Sequence, residues 1–374
     1  MTPTADELVD RHLATLQRAL PERLRVWDAH THLGVDDDGM SLEPAALLQA
    51  MRDQGVERAF TFPLNDPERY PAYRVPNDRV LAWAEESGGA LVPFCRLDLT
   101  GDPIGEAERC LDRGARGIKL HPRAQRFDFG ERGLDAVFAA AAERSVPILI
   151  HAGRGLPPIA DDLMHLVERH PAAQLILAHG AIADLERIGE RLRAHPNVVY
   201  DTSIWSMTDL RSLFSMVAPE QVVFASDIPY GAPGQSRLLV GSLLTAIGAG
   251  DRTIRDVFWN TCERVAAGLP AERLSEPLLP REATVPLQRM RVAEYLGMAM
   301  TLLWTQQPDT PGALGLALRA CDGAEPLTDA AEALEAAAVS WAEATATTDA
   351  GERLARMRQT RRLVHLATVM VWAG

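Results

Sequence analysis

The sequence predicts an α/β protein: a (β/α)8 barrel of the TIM type, with an N-terminal helix and an added C-terminal all-α subdomain. Three observations carry this. Short apolar runs alternate with helix-patterned stretches eight times between residues 24 and 268. Such alternation implies parallel strands joined by right-handed crossovers, and eight units in roughly 250 residues suit a closed barrel better than an open sheet. Beyond residue 282 the pattern turns purely helical.

Residues 4–19 open the chain as an amphipathic helix with Leu8, Leu13 and Leu16 on one side. The strands read as 24–32, 57–63, 90–97, 116–121, 146–151, 174–179, 197–202 and 221–226. Helical stretches follow them at 43–54, 76–87, 103–113, 132–144, 159–169, 182–194, 206–217 and 236–248. A closing helix spans 251–267, and Pro277 and Pro280 then punctuate a boundary. The last helices read as 284–304, 311–320, 328–347 and 350–372, Ala- and Leu-rich with Glu and Arg on the other face. The division is therefore an N-terminal helix in 1–20, a barrel over 21–270 and a helical subdomain over 282–374.

Composition narrows the function. A net charge of −13 and a pI near 5.3 argue against a nucleic-acid partner. No apolar run approaches the ~20 residues that span a bilayer. The first twenty residues are polar, with no apolar signal core, and the four cysteines are scattered without a Cys-x-x-Cys pair. A reduced, cytoplasmic protein is expected. No Gly-x-Gly-x-x-Gly turn follows the first strand, which weakens a dinucleotide-binding reading.

The chemistry concentrates at strand ends. His30 and His32 form a His-x-His pair closing the first strand, and side chains two apart on a strand share a face. His151, His179 and Asp227 close three later strands in the same way. In such a barrel, active sites sit at the C-terminal strand ends. Imidazole and carboxylate ligands suit Zn2+, with Mn2+, Fe2+ or Ni2+ as alternatives. Of the 38 Lys+Arg residues a single one is lysine, Lys119, and it too ends a strand, sharing a face with His121. Lysine can lose its proton where arginine cannot, so Lys119 is a candidate for capturing CO2 as a carbamate. One metal would use His30, His32, His151 and Asp227, with His179 as a polariser. Two metals would be bridged by carboxylated Lys119, with His151 and His179 on the second ion.

These strings resemble the amidohydrolase superfamily, in its "amidohydrolase 2" branch. The resemblance rests on Asp28-Ala29-His30-Thr31-His32, Gly117-Ile118-Lys119-Leu120-His121-Pro122, Ile150-His151-Ala152-Gly153, Ala178-His179-Gly180 and Ala225-Ser226-Asp227-Ile228-Pro229-Tyr230-Gly231. It covers about residues 24–268 and implies a distorted (β/α)8 barrel whose members mostly hydrolyse C–N or C–O bonds. The same branch holds metal-dependent decarboxylases of aromatic acids, and many of its members look mononuclear. The resemblance does not extend to residues 282–374.

The leading expectation is a metal-dependent hydrolase of an amide, cyclic amide or amidine, ester or lactone. Metal-activated water attacks, Asp227 acts as general base and then acid, and His179 polarises the carbonyl. The alternative is non-oxidative decarboxylation of an aromatic or unsaturated acid. Substrate contacts are expected from Tyr70, Arg123, Arg154, Trp205 and Tyr230 in loops after the strands. Arg96 ends the third strand and faces inward or outward depending on register. His12, His165, His170, His195 and His365 read as surface or capping residues, and the arginines between 353 and 362 as a solvated face. The dense apolar cluster Leu296, Met298, Met300, Leu302, Leu303 and Trp304 predicts a homodimer through the helical subdomain. The remaining partner is a small-molecule substrate.

Overall fold

The computed structural model describes residues 5–204, 206–281, 285–305, 307–323 and 327–373. The described residues fall into two units, one within 21–240 and 249–281 and the other within 1–20, 241–248 and 282–374.

The first unit is the parallel barrel. Its strands are β1 (Trp27–Val35), β3 (Arg58–Pro63), β4 (Leu91–Pro93), β5 (Cys95–Arg96), β6 (Ile118–Leu120), β7 (Pro147–His151), β8 (Gln174–Ala178), β9 (Val198–Asp201) and β10 (Val222–Val223). β4 and β5 are one barrel strand interrupted at Phe94, whose N–H donates to Thr61 O at 2.8 Å. The remaining strand, β2 (Ser41–Leu42), pairs antiparallel with the end of β1. It lies outside the eight expected strands, and β1 runs three residues further than expected, to Val35. The seam between β10 and β1 closes through Ala29 N–H to Phe224 O at 2.8 Å, Asp227 N–H to His30 O at 2.9 Å and His32 N–H to Ile228 O at 2.9 Å.

Helices α2 (Pro44–Gln54), α3 (Arg74–Glu86), α4 (Pro103–Asp112), α5 (Pro122–Gln125), α6 (Arg132–Glu143), α7 (Ala160–Arg169), α8 (Leu185–Leu192) and α9 (Met207–Met216) follow the strands. α10 (Pro233–Ala246) comes next, then α11 (Asp251–Arg255) and α12 (Thr261–Ala266). The expected closing helix is thus α11 and α12 joined by a π-helical turn, Asp256–Asn260. Short strands and buried apolar helix faces explain the arrangement. Leu134, Val137, Phe138 and Ala141 of α6, for example, recur at helical spacing and are all buried.

The barrel floor is apolar. Trp27, Ala29, Phe60, Phe62, Phe94, Leu149, Ile176, Val199, Val223 and Trp259 belong to one buried cluster. The Trp27 ring packs at a tilt against Phe60 and Trp259, with centroids 5.2 Å apart in both pairs. Inward positions alternate along each strand, so the residue two beyond a floor residue projects at the rim. Leu149 leads to His151 and Val199 to Asp201 in this way. β1 breaks the parity. A bulge between Asp28 and Thr31 shifts its register against β3, so inward facing passes from Trp27 and Ala29 to His30 and His32.

The second unit is helical. α1 (Ala5–Ala19) packs with α15 (Thr328–Ala346) and α16 (Ala350–Ala373), and Arg11 pairs with Glu332 at 2.9 Å. Leu8, Val9 and Leu16 are buried, whereas Leu13, expected on the same side, is 41% exposed. α13 (Leu287–Trp304) and α14 (Thr310–Cys321) complete the set. α13 buries Val292, Leu296, Ala299 and Leu303, so part of the expected apolar cluster is satisfied within the unit, and Met298 is left exposed. His365 is buried, against its reading as a surface residue, because α16 turns that face to its neighbours. No described helix is long and apolar enough to cross a membrane.

Candidate metal centre

Three side chains converge where β1 meets the end of β10. His30 Nε2, His32 Nε2 and Asp227 Oδ1 form a triangle, with 3.2 Å between the two nitrogens and 3.1 Å from each nitrogen to the oxygen. All three residues are buried. Donor atoms about 2.1 Å from a shared ion lie roughly 3.0 Å apart in cis octahedral positions and roughly 3.4 Å apart in tetrahedral ones. The observed spacing falls within that interval, so the triangle fits one divalent cation.

Asp201, which the sequence reading passed over, organises this centre. Its Oδ2 accepts the His30 Nδ1 hydrogen at 2.7 Å, which leaves the Nε2 lone pair facing Asp227. Two acceptors 3.1 Å apart repel unless a cation lies between them. Asp201 Oδ1 accepts from His179 N–H at 2.7 Å, Ser203 N–H at 3.0 Å and Ser203 Oγ–H at 2.6 Å. One carboxylate therefore fixes two strand ends at once. The rule that selected Asp227, an acid closing an inward strand position, selects Asp201 equally well.

Asp28 supports the same corner from behind. Its Oδ1 accepts from His30 N–H at 3.1 Å and Ser226 N–H at 2.9 Å, and its Oδ2 accepts from Ser226 Oγ–H at 2.5 Å. Burial raises its pKa to about 7. Asp227 and His179 both adopt left-handed backbone, with φ of 59° and 57°. This is an uncommon conformation for residues with a Cβ and marks a constrained site.

His151 and His179 make a second pair. His179 Nδ1 donates to Ser203 O at 3.0 Å, so its Nε2 accepts from His151 Nδ1–H at 3.0 Å. His151 Nε2 is then a buried lone pair with no partner among the described residues. The His179 ring lies 5.2 Å from that of His30, and His121 stacks on His151 at 3.9 Å. Gly153 makes the close approach possible. A Cβ there would stand 2.8 Å from His179 Cδ2 and 2.9 Å from His151 Cε1.

The electrostatics keep the His30, His32 and His151 imidazoles neutral. Burial, then the charge of Lys119, pushes His30 well below its ordinary value. Burial lowers His32 to about 4, and burial with the neighbouring His179 lowers His151 to about 2. Burial alone would raise Asp227, but His30 and the hydrogen bond to His32 draw it down to about 2. Neutral imidazoles and an ionised carboxylate are the protonation states that metal ligands need. Lys119 Nζ lies 3.3 Å from His30 Nε2, and burial, then Arg96, lowers its pKa to about 7.

The expected substrate residues are distributed unevenly. Tyr230 is half-buried and stands edge-on to His32 at 5.9 Å. Arg123 is exposed, within electrostatic reach of His151. Arg154 is engaged by Asp209 at 2.7 Å, and Tyr70 is 70% exposed beneath the Arg69 guanidinium. Trp205 lies outside the described residues. Arg96, whose facing the sequence left open, is turned inward and buried.

The comparisons agree with this geometry. The family described as Amidohydrolase matches residues 27–265, well over half of the chain. No curated protein sequence matches. Among solved structures, one described as amidohydrolase II is 20% identical, with a TM-score of 0.51, covering 64% of this chain and 99% of its own. A 2,6-dihydroxybenzoate decarboxylase from Rhizobium is 15% identical, with a TM-score of 0.53 over 65% of this chain and 98% of its own. A dihydroxybenzoic acid decarboxylase from Polaromonas sp. JS666, with bound manganese and 2-nitroresorcinol, is 14% identical, with a TM-score of 0.51 over 65% of this chain and 96% of its own. These likenesses establish a shared TIM-type barrel. With the family match over residues 27–265 and a buried His-His-Asp triangle at the strand ends, this chain belongs to the amidohydrolase 2 family.

Proposed function

We propose that the protein is a metal-dependent hydrolase of a small molecule, cleaving a C–N or ester-type C–O bond. The observation that carries this reading is the triangle of His30 Nε2, His32 Nε2 and Asp227 Oδ1, with His30 oriented by Asp201. We assign one divalent ion to it, Zn2+ first, with Mn2+, Fe2+ or Ni2+ as alternatives. An ion bound there supplies a Lewis acid and a water whose pKa falls to about 7. Asp227 takes the proton of the attacking water and returns it to the leaving nitrogen or oxygen. His179, held through Nδ1 by Ser203 O, accepts from His151 at Nε2 in the free protein and would take up a proton there to polarise the carbonyl. His151 stands behind it as a proton donor.

A two-metal form with carboxylated Lys119 is the variant reading. It is favoured by the buried amine beside His30 and its lowered pKa. Decarboxylation is the second reaction. The His151–His179 pair favours it, since two hydrogen-bonded imidazoles next to the ligand triangle form a route for delivering a proton to carbon. The test is a panel of amides, lactones and aromatic acids with the metal-loaded protein, scored for both acid or amine release and CO2 release. Turnover without metal overturns the hydrolase and the decarboxylase alike.

The homodimer belongs to the same proposal. α13 leaves Leu287 67% and Met298 43% exposed, a face that a second copy would cover. Light scattering that finds a monomer overturns it.

A further inference from the structure

We propose that Arg96 is the receptor for a carboxylate group of the substrate, set in the barrel wall beside the His30–His32–Asp227 triangle. The inference rests on the reading above, that the site turns over a small molecule, and names the chemical class of that molecule. Arg96 is 1% exposed. Its Nη1 donates to Pro63 O at 3.2 Å and its Nε to Gln125 Oε1 at 3.4 Å. Its Nη2 is buried with no hydrogen-bond partner among the described residues. No described carboxylate lies within the 4.0 Å of an ion pair. Asp36 is a longer-range influence, and Tyr73 and Tyr230 are the other groups that favour its charge.

A guanidinium does not shed its proton, so Arg96 carries its charge into the interior with no carboxylate in contact among the described residues. Burying an unpaired charge is costly, and a fold keeps one where something pairs with it. Its place says what. Arg96 pairs in register with Lys119 on the neighbouring strand, so both occupy the same layer of the inner face. Lys119 Nζ is 3.3 Å from His30 Nε2, and the charge of Arg96 reaches His32 and His121. An anion bound at Arg96 therefore lies alongside the metal ligands. The free Nη2 and the second hydrogen of Nη1 form the planar fork that a carboxylate matches with two parallel hydrogen bonds. Arg154, by contrast, is already neutralised by Asp209. The Tyr73 ring covers one face of the Arg96 guanidinium, 5.3 Å from its central carbon, which leaves the in-plane edge as the side an anion would meet.

The test is calorimetric titration of the full-length, metal-loaded protein with sodium acetate and, at matched ionic strength, its neutral isostere acetamide. Acetate is expected to bind about tenfold or more tighter than acetamide, as for a hydrogen-bonded charged group. Arg96→Met loses that preference and Arg96→Lys keeps part of it, while elemental analysis finds the same metal content in all three proteins. Equal binding of acetate and acetamide by the wild type overturns the proposal, even where Arg96→Met fails to fold. Acetate binding that is untouched in Arg96→Met overturns it as well. Wild-type protein that holds no metal, yet prefers acetate through Arg96, overturns the metal reading and leaves the anion site standing.

Discussion

The floor and the rim of this barrel are built by the same strands and are equally buried, yet they hold opposite chemistry. On the floor, Trp27, Phe60, Phe94 and Trp259 pack ring against ring. Two or three residues further on, His30, Arg96, Lys119, Asp201 and Asp227 are each 5% exposed or less. Burial of apolar surface stabilises a fold at about 25 cal/mol per Å2, whereas buried charge costs unless it is paired. The floor is where the barrel gains its stability. The rim consumes part of that gain to hold a set of neutral imidazoles, ionised carboxylates and cations in fixed positions. Substitutions should therefore separate the two layers cleanly, with stability lost below and chemistry lost above.

The largest effect is expected at the rim. On the proposed mechanism Asp227→Asn removes both a ligand and the proton acceptor, and kcat/KM should fall by on the order of 10^3-fold or more. Thermal melting should show that the fold persists. A variant with near wild-type turnover would remove Asp227 from the mechanism. The matching substitution on the floor, Phe60→Ala, should cost about 3–5 kcal/mol of stability in chemical denaturation. Its metal content per folded chain should match the wild type, and a floor substitution that strips the metal while leaving stability intact would erase the contrast.

Asp201→Asn sharpens the comparison from within the rim. It keeps the size of the side chain but no longer fixes His30 through an anionic acceptor. Loss of such an outer partner lowers metal affinity by about 10–100-fold, measurable by competition with a chelator. Lys119→Arg decides the metal count. In the one-metal form, elemental analysis gives one ion per chain for wild type and variant alike. Two ions in the wild type and one in the variant would establish the carbamate bridge.

The smallest effect is a pH dependence confined to the rim. His30, His32 and His151 have folded pKa values below the ordinary 6.5, with His32 at about 4. The unfolded chain therefore takes up protons first as the pH drops, and stability is lost below about 6.5. Asp227, held at about 2 against an ordinary 3.8, adds a further loss as the pH falls through that lower range. Metal-free protein should thus show a melting temperature that declines steadily from pH 6.5 to 4. The Phe60→Ala decrement should stay the same at both ends of that range, since no aromatic floor residue titrates there. A decrement that varied with pH would tie the two layers together.

The sequence by itself determined the eightfold alternation, the helical C-terminal region and the rim to which His30, His32, Lys119, His151, His179 and Asp227 belong. Those features are written in local periodicity, and the strand ends of a parallel barrel share one rim whatever the details of packing. Asp201 obeyed the same rule and was legible by it. Three things required the tertiary structure. The bulge between Asp28 and Thr31, which turns His30 and His32 inward after Trp27 and Ala29, depends on register with β3. The left-handed turns at His179 and Asp227 depend on the partners that hold them, Asp201 and His30 O. The inward facing of Arg96, with Nη2 unpaired among the described residues, depends on its register with Lys119 across the sheet. Each is a long-range pairing between strands distant in sequence, and hydrophobic periodicity along one strand carries no information about which residue stands opposite on the next.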